Sequence, residues 1–281
     1  GRLPRRCCFV DKGGEDMKIY QCKSEDAPSL VPILEELGVS YEETLRDGAA
    51  MARAAERVRE VNGMNHVVVP LSECLMTACL GTAITWDPEL GDRVAKEVFA
   101  DWSEAESFRP ESIRCEVLDP LFEAIRILKE RGAQVVVGAT GPIALLSGLL
   151  PTEVVYRAMP KQKEPFPRLL NIVEDFISEH VARVDALRPE LIYLADSVGS
   201  LDLVGPRLFR QVSGPSYLRV LKRAEGLATP IYMCPKNMTS LFSVGFLERA
   251  ADGNLCAGPC LARKFTDLRY GRCRIAQEAP L

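Results

Sequence analysis

The sequence predicts an α/β domain whose strands lie parallel in one sheet, and three observations carry that expectation. Short runs of β-branched and aromatic residues recur without polar alternation: Val67-Val68-Val69, Val135-Val136-Val137, Leu191-Ile192-Tyr193-Leu194-Ala195 and Ile231-Tyr232-Met233. Strands covered on both faces read this way. Longer segments with apolar residues at helical spacing separate the runs, the alternation that builds βαβ units with right-handed crossovers. Finally, 281 residues that are 47% apolar and 26% charged suffice for one large core.

Residues 1–24 read as an irregular N-terminal extension, and 25–281 as one domain with no repeat or low-complexity linker. In 26–37, Leu30, Ile33, Leu34 and Leu37 share a helical face and Gly38 follows as a stop. Residues 44–62 repeat the pattern with Leu45, Ala49, Ala52, Ala55 and Val58. The first strand, 67–70, precedes a helix closing at Leu80-Gly81, and a further helix is expected over 89–105. The helix at 118–131 stops at Gly132, and the second strand runs into the turn Gly138-Ala139-Thr140-Gly141-Pro142. Helices are expected over 167–187, 206–225 and 238–251, with the third and fourth strands at 191–195 and 229–233. Residues 159–165 read as an exposed loop, a lid or partner contact, and the chain ends in a cysteine-rich tail.

Charge and composition exclude several classes. The net charge of −4 is spread without a basic stripe, which argues against nucleic acid. No apolar run approaches the ~18 residues a membrane span requires. The N-terminus carries no apolar signal core, so a cytoplasmic location is expected. Ten cysteines in a chain of this length point to reduced thiols rather than a disulfide scaffold. Most should be small buried hydrophobes. His66 and His180 have no partner at ligand spacing, so a Ser-His-Asp hydrolase is poorly supported.

Parallel sheets place their working residues where strands end. Four strand ends carry chemistry: Glu73, the 138–142 turn, Asp196-Ser197, and Cys234. Asp196 suits substrate contact or acid–base work, or else caps a helix or turn. Ser197 and Asn237 can donate hydrogen bonds in the same mouth. Gly141 lets a backbone approach a ligand, or simply makes a tight strand-to-helix turn. No Lys-Ser/Thr follows it, so this is no phosphate loop. In the tail, Cys256-x-x-x-Cys260 has the look of a metal loop.

Four segments, in order, resemble the uroporphyrinogen decarboxylase and corrinoid methyltransferase superfamily: Gly63–Pro70 with the following helix, Gly138–Pro142, Ile192–Ser200 followed by Gly205-Pro206-Arg207-Leu208-Phe209, and Pro230–Asn237. The resemblance spans about residues 25–240. It implies a (β/α)8 TIM-like barrel, here shortened near the C-terminus. The family's decarboxylases use an N-terminal Arg-rich motif and an Asp. The Arg motif is missing and Asn65 stands at the position matched to the Asp, which disfavours porphyrin decarboxylation. The methyltransferase branch holds zinc with a His-x-Cys-Gly motif and a late cysteine. Cys234 matches the motif cysteine, Tyr232 replaces the His and Pro235 the Gly, while Leu255-Cys256-Ala257-Gly258-Pro259-Cys260 resembles the terminal segment and nominates Cys260. Cys256, Cys273 and Glu73 compete as the third ligand.

The resemblance therefore implies a zinc-dependent methyltransferase. It would move a methyl group between a small donor or thiol acceptor and a corrinoid on a partner protein, with Asp196 catalytic and Glu73, Gly141, Ser197 and Asn237 contacting substrate. Assembly of several copies of the chain is compatible with this. Two rivals stand beside it: a decarboxylase-type lyase, and a binding barrel that holds a corrinoid without turnover.

Overall fold

A computed structural model describes residues 30–88 and 91–246, together with the backbone of a short ladder between β1 (Arg6–Cys7) and β8 (Cys256–Ala257). The segments 1–24 and 258–281, with Cys260 and Cys273, otherwise lie outside the described residues.

The first helices follow from their caps. α1 (Val31–Leu37) ends at Gly38, whose φ of 63° suits a residue without a β-carbon. The single helix expected over 44–62 is two, α2 (Tyr41–Arg46) and α3 (Gly48–Val61). Ser40 and Glu43 form a reciprocal capping box on α2. Asp47, extended at φ −128°, accepts from the Ala50 N–H at 2.7 Å and starts α3 afresh. β2 (Val67–Val69) and α4 (Leu75–Cys79) come next.

The helix expected at 89–105 is absent. A hairpin of β3 (Ala83–Asp87) and β4 (Gly91–Lys96) occupies the region, followed by short 3-10 turns. Arg93, Ala95, Lys96 and Glu97 favour helices intrinsically, but tertiary contacts override a weak propensity. Trp86 stacks on Tyr41 with ring centroids 5.0 Å apart. The Asp92 carboxylate accepts from the Ser72 hydroxyl at 2.6 Å and the Cys74 N–H at 2.9 Å. The hairpin is thereby tied to the end of β2.

α5 (Asp119–Glu130) stops at Gly132 (φ 74°), and β5 (Val135–Thr140) follows. Gly138 and Ala139 belong to this strand, so the expected turn starts later, at Gly141. Two helices absent from the sequence reading come next, α6 (Pro142–Leu149) and α7 (Thr152–Ala158), before α8 (Phe166–Asp185). In the expected 159–165 loop, Met159 is buried, while residues 160–164 are exposed. β6 (Leu191–Ala195) leads to α9 (Leu201–Leu208), a π-turn, and α10 (Gly214–Arg223). β7 (Ile231–Met233) precedes α11 (Pro235–Ser243).

The main sheet runs β2-β5-β6-β7, every neighbour parallel and every step to the sheet's next strand along the chain, with the separate β3–β4 hairpin inserted between β2 and β5. Sequential parallel order without reversal is barrel winding, as distinct from the doubly wound order with its switch point. The two sheet faces bury different residues. Val67, Val69, Val135, Val137, Ala139, Ile192, Leu194 and Met233 pack into the large core under the helices. Val136, Leu191, Tyr193 and Cys234 form a separate cluster, joined by Val68, Ala195 and Tyr232. The period-two alternation assigns this second set to the face that a barrel turns inward.

Between α8 and α10 sits a fully buried Glu174. Its carboxylate accepts from Ser216 Oγ at 2.6 Å and from Arg219 Nε and Nη2 at 2.8 and 2.6 Å. The arginine keeps its far side in water, so only one end of the ion pair bears the full desolvation cost.

Candidate functional site

The C-terminal ends of β5, β6 and β7 are stitched by one carboxylate and one amide. Asp196, the residue after β6, is 1% exposed. Its Oδ2 accepts from the Ile143 N–H at 2.9 Å, and its Oδ1 from Ala144 N–H at 2.9 Å and Gly199 N–H at 3.1 Å. Ile143 and Ala144 open α6, whose first amides have no partner within the helix. Asp196 thus caps a helix more than fifty positions upstream, an anion at the positive end of the helix dipole. Burial pushes the Asp196 carboxyl up to about 6, against the pull of the three N–H donors.

Two glycines make room. A β-carbon on Gly141 would overlap the Asp196 side chain, and one on Gly199 would stand 2.6 Å from its Oδ2. Gly141 also donates its N–H to the Ala195 carbonyl at 2.7 Å. Asn237, on α11, accepts from the Asp196 N–H at 2.9 Å and donates to the Asp196 carbonyl at 2.8 Å. Its amide mimics one further residue of parallel pairing beyond β7. Tyr156 on α7 donates to the Val198 carbonyl at 2.6 Å, and burial raises its phenol to about 12, so it stays a protonated donor.

Cys234 ends β7 and begins α11. Its N–H donates to the Leu194 carbonyl at 2.9 Å, continuing the sheet, and the side chain is 4% exposed on the inward face. One row back lie Gly138, Tyr193 and Tyr232 in register. The two tyrosine rings stack with centroids 5.9 Å apart at 25°. Lys236, nearly buried, pairs with Asp202 at 3.0 Å beside the same mouth.

The structure therefore gathers Asp196, Gly141, Asn237 and Cys234 at one end of the sheet. Ser197 and Glu73 are exposed at the same end, after β6 and β2. The Glu73 carbonyl accepts from Thr140 Oγ1 at 3.3 Å, tying the β2 and β5 ends together. Asn65 precedes β2 and stands at the opposite end of the strand, remote from this mouth. Among the described residues, no three His, Cys, Asp or Glu side chains come close enough to hold a metal. Cys260 falls outside the described residues, and for Cys256 only the backbone is described.

Sequence reasoning missed Tyr193 and the Lys236–Asp202 pair. The alternation Leu191, Tyr193, Ala195 was the available signal for the first. The second depends on α9 meeting α11 and left no local trace. His66 and His180 are both buried.

Four known relatives bear on the chain: a family, two sequences and a solved structure. The model of the uroporphyrinogen decarboxylase (URO-D) family matches residues 33–253. A methylcobamide:CoM methyltransferase of Methanosarcina barkeri is 25% identical over 216 residues, 74% of this chain and 62% of that protein. Its counterpart from strain Fusaro is 24% identical with the same coverage. The chain thus spans less than two thirds of the length of these relatives. A solved methyltransferase from Methanosarcina mazei superposes with a TM-score of 0.61 at 22% identity, covering 81% of this chain and 68% of the other. That likeness speaks to fold, and it agrees with the expected α/β-barrel class.

Proposed function

The chain belongs to the uroporphyrinogen decarboxylase family, and from that premise we propose that it is a zinc-dependent methyltransferase acting between a small donor or thiol acceptor and a corrinoid on a partner protein. The observation that carries this is Cys234. A thiol at the C-terminal end of a parallel strand, on the inward face and at the start of a helix, sits where such sheets do their chemistry. The names of the two curated relatives supply the reaction class.

A thiolate sulfur suits zinc, and catalytic zinc takes three protein ligands with one position open. Cys234 fits as one ligand. Tyr232 stands where the family motif has a histidine, and its ring is stacked on Tyr193. The remaining ligands would come from Cys256 and Cys260 in the tail, with Glu73 also at the mouth. When bound, zinc lowers the pKa of a coordinated thiol so that it is a thiolate nucleophile near neutral pH.

The chain's own residues do the rest. Asp196, with all three of its bonds to backbone N–H groups, acts by positioning: it fixes α6 against the ends of β5 and β6. Asn237 holds α11, and with it Cys234, in register with β6. The Tyr193–Tyr232 stack gives the inward face an apolar floor that excludes water beside Cys234. Ser197, exposed in the same turn, is available to substrate.

Zinc content of anaerobically purified protein tests this reading. About one zinc per chain, lost in Cys234→Ser and in Cys260→Ser, is expected. A wild-type protein free of zinc after reconstitution would overturn it.

A further inference from the structure

Two arginines meet at one turn with no carboxylate between them. The 3-10 turn Glu104–Ser107 ends in carbonyls that need partners from outside it. Arg109 Nη1 donates to the Glu106 carbonyl and, at 2.9 Å, to the Phe108 carbonyl. Arg168 reaches the same two oxygens from the first turn of α8: its Nη1 donates to the Phe108 carbonyl at 2.6 Å and its Nη2 to the Glu106 carbonyl at 3.0 Å. Both Nη1 atoms share the Phe108 oxygen, so they lie at most 5.5 Å apart, the two bond lengths laid end to end. Among the described residues neither guanidinium makes an ion pair, whereas Arg57, Arg131, Arg183, Arg219 and Arg223 all do. α8 adds a third source of positive potential. This helix of 20 residues has no acidic residue in its first turn and no side chain capping it, so the positive end of its dipole is uncompensated beside Arg168.

We infer that Arg109 and Arg168 form a binding site for a phosphate dianion, free or carried as a monoester on a small molecule. The shared carbonyls hold both guanidiniums in place, while Nε and Nη2 of Arg109 and Nε of Arg168 keep N–H groups that bond to nothing among the described residues. Two like charges held this close repel each other, and a dianion between them turns the repulsion into attraction. The planar forks suit phosphate oxygens, and two positive charges match two negative ones, where a carboxylate would leave one guanidinium unpaired. Arg109 is exposed and Arg168 half-buried, so a ligand reaches the pair from solvent. The site uses none of the residues assigned to methyl transfer and goes beyond that reading.

The test is calorimetric titration of the full chain with inorganic phosphate at about 0.15 M ionic strength, with methyl phosphate as the monoester and acetate as the singly charged control. The expected result is saturation at about one phosphate per chain, with acetate weaker by about fivefold or more. Arg109→Gln and Arg168→Gln should each weaken phosphate by about fivefold or more, because each removes charge-assisted hydrogen bonds. Arg53→Gln, which removes an exposed charge on α3, should leave the affinity unchanged. Arg168 also ties α8 to the turn, so Arg109→Gln decides the matter if Arg168→Gln fails to fold. Tighter binding of methyl phosphate than of phosphate assigns the site to a monoester, and weaker binding assigns it to the free ion. Absence of saturation, a smaller gap to acetate or a smaller loss in Arg109→Gln would overturn the inference, as would an equal loss in Arg53→Gln, the mark of diffuse surface charge. Zinc content and methyl transfer are measured separately, so either reading can fail without the other.

Discussion

Replacing Asp196 by alanine removes the acceptor of three backbone N–H groups, those of Ile143, Ala144 and Gly199, at a site that is 1% exposed. A buried donor left without a partner costs about 1–3 kcal/mol. Partial relaxation of α6 toward water keeps the sum below three times that, so we expect a loss of about 3–5 kcal/mol, a large share of the ~5–15 kcal/mol that holds a typical domain together. Asp196→Asn should lose less, about 1–2 kcal/mol. It keeps one oxygen for Ala144 and Gly199 but turns an amide donor toward Ile143. The two variants also separate in pH. Burial raises the Asp196 carboxyl to about 6, above its unfolded value. Its contribution is therefore complete below the unfolded pKa of about 4 and declines as pH rises through about 6. The neutral asparagine lacks that decline, so the gap between wild type and Asp196→Asn narrows with rising pH. Urea unfolding followed by circular dichroism across this range is the assay. If Asp196→Ala loses under about 1 kcal/mol, its carboxylate does not hold α6 and the positioning role is wrong.

Three further predictions concern the scaffold. His180 is fully buried beside Phe122, and both ring nitrogens lack a hydrogen-bond partner among the described residues; burial, with Arg183 adding to it, lowers its pKa to about 4. Its contribution is present above the unfolded pKa of about 6.5 and lost as pH falls through about 4, on the order of 3 kcal/mol in all. His180→Leu should flatten the acid limb of a thermal-melt profile over that window, and an unchanged limb would contradict the assignment. Arg219→Ala should destabilise by about 2–3 kcal/mol because it leaves the buried Glu174 charge with only the Ser216 hydroxyl and the more distant Arg223 guanidinium at 3.6 Å, whereas Glu174→Gln, leaving an arginine already half in water, should cost less; urea midpoints in the reverse order would refute this. Gly141→Ala should lower stability by about 2–4 kcal/mol, since its methyl group would stand 2.4 Å from the Asp196 β-carbon; Asp196→Ala keeps that β-carbon, so pairing the two should leave the clash in place, and a thermal melt of the double variant at or above the stability of Asp196→Ala alone would refute the overlap.

The strands of the main sheet were readable because they are covered on both faces, so Val67–Val69, Leu191–Ala195 and Ile231–Met233 stand out as unbroken apolar runs. α6 was not, for a related reason. Its Ile143, Leu145, Leu146 and Leu149 are buried on every side, leaving no polar stripe for a period of 3.6 to reveal. The β3–β4 hairpin hid behind helix-favouring residues and is held by contacts to Tyr41, Ser72 and Cys74 that only the fold supplies. At the site, the strand-end rule located Asp196, Asn237 and Cys234. What it left open was how Asp196 acts. A carboxylate after a strand reads equally as an acid–base group or a cap, and the helix it caps lies far upstream in sequence. The backbone ladder between β1 and β8 is longer-range still and is invisible to any local pattern.

The most direct test of the central claim is methyl transfer from methylcobalamin to a small thiol such as coenzyme M, followed anaerobically by the absorbance of the demethylated corrinoid. The account predicts turnover by the zinc-loaded wild type and its loss in Cys234→Ser, with the folded state of the variant intact. Equal rates in the two proteins, or a zinc-loaded wild type that binds the corrinoid without turnover, would contradict it.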